Sequence, residues 1–146
     1  MTSPMDIGAT NVQFKEIQTT SIEPCDGALF NAVSFGYYGD QHFYATLRSI
    51  LSRAMKERSY IPEDVDLIYS TDIWNTPIRV PALELLSELL IVRIILYEYD
   101  SDKRSITTHS YGSGPHIIKI LRKGVNRYEV LTFTFNNSDP IINGCH

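Results

Sequence analysis

The sequence predicts an α+β domain, helices first and a small, mostly antiparallel sheet last, and three observations carry that prediction. Apolar side chains between Gln41 and Lys56 recur at helical spacing, β-branched and aromatic residues take over at Ile91, and strand-like runs separated by polar turns fill the rest. A chain of 146 residues is one domain, long enough to close a hydrophobic core without staples. With 43% apolar and 21% charged residues it has ordinary globular composition rather than that of a disordered segment.

Taken in order, Met1 to Thr10 is small, polar and weakly patterned, which reads as a loose lead-in. Val12, Phe14 and Ile17 fit a short strand or packed arm. Ser21 to Gly27 carries Pro24, Asp26 and Gly27, which are turn chemistry. Ala28 to Phe35, ended by Gly36, fits helix or strand on period alone. The helix over residues 41–56 has Phe43, Tyr44, Leu47, Ile50, Leu51, Ala54 and Met55 as its apolar positions, and Asp40 at the N-cap. Pro62 stops it; Glu63 to Tyr69 fits a short helix, and Asp72 to Pro77 a loop anchored by Trp74. Pro81 belongs in the first turn of a helix running to about Leu90. Strands are predicted at Ile91 to Tyr99, Ile106 to His109, His116 to Leu121 and Tyr128 to Phe135. The last two are joined by a hairpin-type connection at Lys123 to Asn126. The implied division is a lead-in over 1–20, a domain over 21–136 and a tail over 137–146.

The formal net charge is -4 and no basic face is obvious from the sequence, so a nucleic-acid partner is not expected. Cys25 and Cys145, without a signal-type leader, predict free thiols in a reducing compartment, cytoplasmic or nuclear. The apolar run from Leu85 to Leu96 is broken by Ser87, Glu88 and Arg93, which speaks against a membrane span. His42, His109 and His116 lack zinc-motif spacing, and Cys145 with His146 lacks further ligands, so neither metal nor cofactor is expected. Gly112-Ser113-Gly114 is followed by no helix start or Walker lysine, so it is not read as a phosphate cradle.

Two distant segments carry a family resemblance. Glu23-Pro24-Cys25-Asp26-Gly27-Ala28-Leu29-Phe30-Asn31-Ala32-Val33-Ser34 resembles the nucleophile motif of the ovarian-tumour (OTU) deubiquitinases, Asp-Gly-x-Cys-Leu-Phe-Arg-Ala-Val-Ser. Anchored on Leu29-Phe30, the nucleophile position falls on Ala28, and the loop before it is one residue short. Asn126-Arg127-Tyr128-Glu129-Val130-Leu131 resembles the family's Asn-His-Tyr-Asp-x-Leu strand, with Arg127 at the histidine position and Glu129 at the acidic one. Between them, Gly39 to Arg48 is similar to the family's Gly-x-x-x-x-His-x-x-x-Arg helix opening, and Trp74 to Tyr97 to its tryptophan, helix and central-strand block. The resemblance spans Ser21 to Phe135 and implies an OTU-like cysteine-protease fold.

It also implies a degenerate site. A thiol protease needs a thiolate and an imidazole that lowers the thiol pKa and later protonates the leaving amine. Alanine offers no nucleophile, and a guanidinium stays protonated, so it cannot act as a base. The expectation is therefore a pseudoenzyme without catalytic residues, kept as a protein-interaction module or complex scaffold. Ubiquitin, a ubiquitin-like protein or a second copy is the implied partner, and Tyr37, Tyr38 and Tyr111, on loops, are interface candidates or else cover the edge of the core. The Arg127–Glu129 pair reads as a partner-binding charge pair or as a salt bridge filling the old cleft. Two rivals remain open: an active thiol hydrolase using Cys25 in a rearranged site, and an enzyme trapped by a cysteine-to-alanine change at position 28.

Overall fold

The computed structural model describes residues 14–70 and 72–135. In chain order they form β1 (Phe14–Ser21), α1 (Ala28–Tyr38), α2 (Tyr44–Glu57), α3 (Pro62–Ser70), α4 (Arg79–Leu90), β2 (Val92–Asp100), β3 (Ser105–Tyr111), β4 (His116–Gly124) and β5 (Arg127–Phe135). Short 3₁₀ turns at Gln41–Phe43 and Ile73–Asn75 precede α2 and α4. The strands make one sheet in the order β1-β5-β4-β2-β3. The chain divides into two compact units, Thr20–Val130 and Met1–Thr19 with Leu131–His146; everything below concerns the larger one. Val12, Cys145 and His146 lie outside the described residues.

The helices follow from their apolar stripes. In α2 the buried Leu47, Leu51, Ala54 and Met55 sit three and four apart, so one face meets the core while Arg53, Lys56 and Glu57 stay in water. Asp40 accepts from the His42 amide at 2.7 Å, capping the 3₁₀ turn that leads into α2. Pro81 falls in the first turn of α4, where its missing amide costs no hydrogen bond. Ile91 then ends α4 in the left-handed region, with φ 57.

Gly36 does not end α1, contrary to the expectation. The helix continues through it to Tyr38, because a Cβ at Gly36 would collide with the Ile118 side chain and glycine leaves that space free. The stop comes three residues later at Gly39, φ 80, whose amide bonds the Phe35 carbonyl at 2.8 Å.

The sheet is mixed and contains one parallel pairing among those described. β2 pairs antiparallel with β3, but parallel with β4, so the chain crosses from one side of β2 to the other between Tyr111 and His116. Two glycines make that crossing possible. A Cβ on Gly114 would run into the Ile91 carbonyl and stand 2.6 Å from the Val92 nitrogen, and one on Gly112 would stand 2.6 Å from the Val92 oxygen. The Gly112-Ser113-Gly114 segment is thus a close-packed crossover. It also decides between the two readings of Tyr111: the residue closes β3 opposite Ile94 and is 4% exposed, so it covers the core and leaves no surface for a partner.

Alternation along the strands sets one face inward. Ile94 and Leu96 of β2, Ile118 and Ile120 of β4 and Tyr128 and Val130 of β5 are buried against Phe30, Leu47, Leu51, Ile68, Leu83 and Leu86 of the helices. Each such aliphatic side chain contributes about 1.5–3 kcal/mol on burial. No helix among the described residues is long and apolar enough to cross a membrane.

Candidate functional site

The loop before α1 is built by residues of the two distant motifs. Gly27 occupies the N-cap without a side-chain cap, and the Ala28 amide bonds the Cys25 carbonyl at 3.0 Å, which folds residues 25–28 into a tight turn. Arg48 of α2 lies against this turn. Its guanidinium packs over the rings of Phe30, Tyr44 and Tyr69 at 5.5, 5.6 and 5.9 Å, and its Nη2 would stand 3.0 Å from a Cβ on Gly27. Ser34, wholly buried, donates to the Asp40 carbonyl and accepts from the Phe43 amide at 3.1 Å, fastening α1 to the start of α2. Gly27, Phe30, Ser34 and Arg48 thus have packing roles that need no catalysis.

The second motif arrives from the β4–β5 hairpin. Asn126 adopts φ 57 at the turn, a conformation asparagine tolerates. With its amide nitrogen donating, it reaches the Cys25 carbonyl and Asp72 Oδ2, both at 3.3 Å. Tyr128 follows, 2% exposed, its hydroxyl donating to Asp72 at 2.8 and 3.1 Å. Burial first, and then the adjoining Asp72 carboxylate, push the Tyr128 hydroxyl far above the ordinary tyrosine range, so it stays a donor. Asp72 also accepts from the Trp74 amide at 3.1 Å and the Asn126 amide at 3.4 Å. A 2%-exposed carboxylate therefore joins the turn before α4, the hairpin and the loop at Cys25. Sequence reasoning missed it: residues 72–77 read as loop, and the signal was an Asp two positions before a tryptophan amide, an Asx turn.

Ala28 is the first residue of α1 and 0% exposed, so its methyl belongs to the core and forms no part of an open cleft. Cys25 is exposed, with the Asn31 amide 3.5 Å from its sulfur. It lines a cavity of about 460 Å³ with Glu23, Asp26, Gln41, His42 and Arg48. His42 was not expected beside Cys25. Its Nδ1 is 2.6 Å from Asp40 Oδ1, and its side chain is 88% exposed, but no hydrogen bond joins it to the thiol. Arg127 begins β5 on the surface and lines a different, smaller cavity of about 200 Å³ with Pro24, Lys123 and Glu129. Glu129 is bound by Lys123 at 3.0 Å rather than by Arg127, which corrects the expected Arg127–Glu129 salt bridge.

Tyr37 and Tyr38 are the last two residues of α1 rather than loop residues, 39% and 42% exposed. Tyr38 packs against the exposed Phe43 ring at 4.5 Å and Tyr37 at 4.8 Å, so together they form an aromatic surface cluster. His109 meets the edge of Trp74 and lies 3.5 Å from Glu98, while His116 contacts the Gly36 carbonyl at 3.2 Å. Among the described residues no His, Cys, Asp and Glu side chains gather into a metal-holding group.

This is the fold of OTU domains, and solved structures bear that out. The chain is similar to the OTU domain of OTUD1 at a TM-score of 0.65 and 19% identity, over 80% of this chain and 85% of that one. It is similar to the viral OTU domain protease of Qalyub virus at 0.61 and 16%, over 84% and 89%. The viral OTU domain protease of Dera Ghazi Khan virus gives 0.57 and 17%, over 84% and 90%. No family model matches the sequence, and no curated protein matches it.

Proposed function

We propose that the chain is a catalytically inactive OTU-like domain that serves as a protein-interaction module, with ubiquitin or a ubiquitin-like protein as the first partner to test and a second copy as the next. The observation that supports this reading is the chemistry at position 28. A buried alanine methyl stands where the family resemblance puts the nucleophile, and the arginine at 127 lines another cavity and cannot take up a proton. The exposed aromatic cluster of Tyr37, Tyr38 and Phe43 is interface material of the kind that anchors partners.

The test is incubation with diubiquitin of every linkage and with an electrophilic ubiquitin probe, beside a direct binding titration with ubiquitin. Neither cleavage nor an adduct is expected, and Ala28→Cys alone restores no turnover, because a thiol at a fully buried position lacks both base and access. Robust cleavage by Ala28→Cys would sink the pseudoenzyme reading in favour of a trapped enzyme. A second reading, catalysis through Cys25, draws on the shared cavity of Cys25 and His42 and on the His42–Asp40 pair. An adduct on Cys25 that vanishes in both Cys25→Ser and His42→Ala would establish it.

A further inference from the structure

We infer that the face of the sheet that no described helix covers is a docking surface for an acidic amphipathic segment of a partner protein. It meets the loop before α1 only at its edge, where Arg127, Lys123 and Glu129 share a cavity with Pro24, and the inference stands whether or not that loop is catalytically dead.

The face follows from strand alternation. Ile94 and Leu96 of β2 point into the core, so Arg93, Ile95, Tyr97 and Tyr99 point the other way. The register sets Ser110, Thr108 and Ile106 of β3 beside Ile95, Tyr97 and Tyr99, and Ile117, Lys119 and Leu121 of β4 beside Arg93, Ile95 and Tyr97. The helices that reach the sheet meet its other face, as Gly36 of α1 does at Ile118. Tyr99 is 51% exposed, its cross-strand partner Ile106 59%, and Ile117 44%. Tyr99 and Ile106 at one end of the strands and Ile117 at the other are thus left in water, with the half-buried Ile95, Tyr97 and Leu121 between them, and apolar patches of this kind mark interaction sites.

Charge selects the occupant. Around these apolar side chains stand Arg93, Lys123 and Arg127, and among the described residues the carboxylate beside them is that of Glu129, which Lys123 already binds. Neither Arg93 nor Arg127 has an ion pair among the described residues. Among the described residues the face is therefore cationic, on a chain whose net charge is -4. Two copies meeting face to face would oppose like charges, which disfavours a symmetric dimer through this surface. A segment with leucine-type residues on one side and Glu or Asp along its edges would cover the apolar strip and meet the arginines.

The experiment is fluorescence anisotropy on the full chain with two labelled helical peptides of identical leucine face, one edged with glutamates and the other with lysines. A labelled oligo-dT strand and sedimentation of the chain alone complete it. The glutamate peptide binds about tenfold or more tightly than the lysine peptide, and added salt narrows the gap. Tyr99→Ser with Ile106→Ser, and separately Arg93→Glu with Arg127→Glu, each weaken it about tenfold or more, with unchanged circular dichroism. Tyr37→Ser with Tyr38→Ser leaves peptide binding intact, so loss of the ubiquitin reading and loss of this one are separate results. No binding of the glutamate peptide, equal binding of both peptides, tighter binding of the oligonucleotide, or a dimer abolished by Tyr99→Ser with Ile106→Ser would each overturn the inference.

Discussion

Removing the Asp72 side chain tests whether the buried carboxylate holds the region around the loop before α1 together. In Asp72→Ala the Tyr128 hydroxyl and the Trp74 amide lose their acceptor inside the protein, and the Asn126 amide loses a longer contact at 3.4 Å. A buried donor left unpaired costs about 1–3 kcal/mol, so two such donors and one partial one sum to about 3–5 kcal/mol. That is a large share of the 5–15 kcal/mol that keeps a domain folded, roughly speaking. Tyr128→Phe deletes one donor and leaves the carboxylate with the Trp74 and Asn126 backbone amides and the Asn126 side chain, for about 1.5–3 kcal/mol. Since both changes break the same contact, their effects fall short of additive by about 1 kcal/mol or more. Guanidinium titration at neutral pH, with a common slope across variants, reads these values. Thiol titration in a Cys145→Ser background adds a local readout: Asp72→Asn loosens Asn126 from the Cys25 carbonyl, and Cys25 reacts faster. Stability of Asp72→Ala within about 0.5 kcal/mol of the parent would refute the argument, since surface substitutions do no more than that.

Alkaline pH acts on the same network. The Tyr128 and Tyr111 hydroxyls are both raised above the ordinary value of 10.0, burial being the larger cause in each. The unfolded chain then releases those protons first, so their stabilisation is complete below about pH 10 and declines as pH rises further. Denaturation midpoints above that pH should fall less steeply in Tyr128→Phe; parallel slopes would contradict the burial argument. Gly114→Ala drives a methyl into the Ile91 backbone and is expected to cost about 2 kcal/mol or more, whereas Gly39→Ala meets no neighbour and carries only the left-handed penalty of about 1–2 kcal/mol. Thermal melts of the two rank them. Ile91→Gly is expected to stabilise the domain by about 1 kcal/mol, because Ile91 is β-branched, 68% exposed and held at φ 57; an unchanged or lowered melting temperature would show that the side chain has a packing role.

The elements whose causes are local were legible in the sequence. The stripe of α2, the Asp40 cap, Pro81 in the first turn of α4 and the β-branched run of β2 each depend on neighbours within four or five residues, and the order of the OTU-like motifs pointed to the fold. What depended on distant partners was not legible. Whether Gly36 stopped α1 was decided by Ile118, far along the chain in β4, and the parallel β2–β4 pairing by whether the chain could pass the Ile91–Val92 backbone at Gly112 and Gly114. Tyr111 and Tyr38 are both tyrosines at the end of an element, yet one is core and the other surface, because only the first lies opposite Ile94. The site divides the same way. The residue types at 28 and 127 were legible in the sequence, since a side chain carries its nucleophilicity and basicity with it. The bond between Asp72 and Tyr128 spans 56 positions and exists only after the sheet has closed, because hydrogen-bond partnership is a property of folded distance and not of order along the chain.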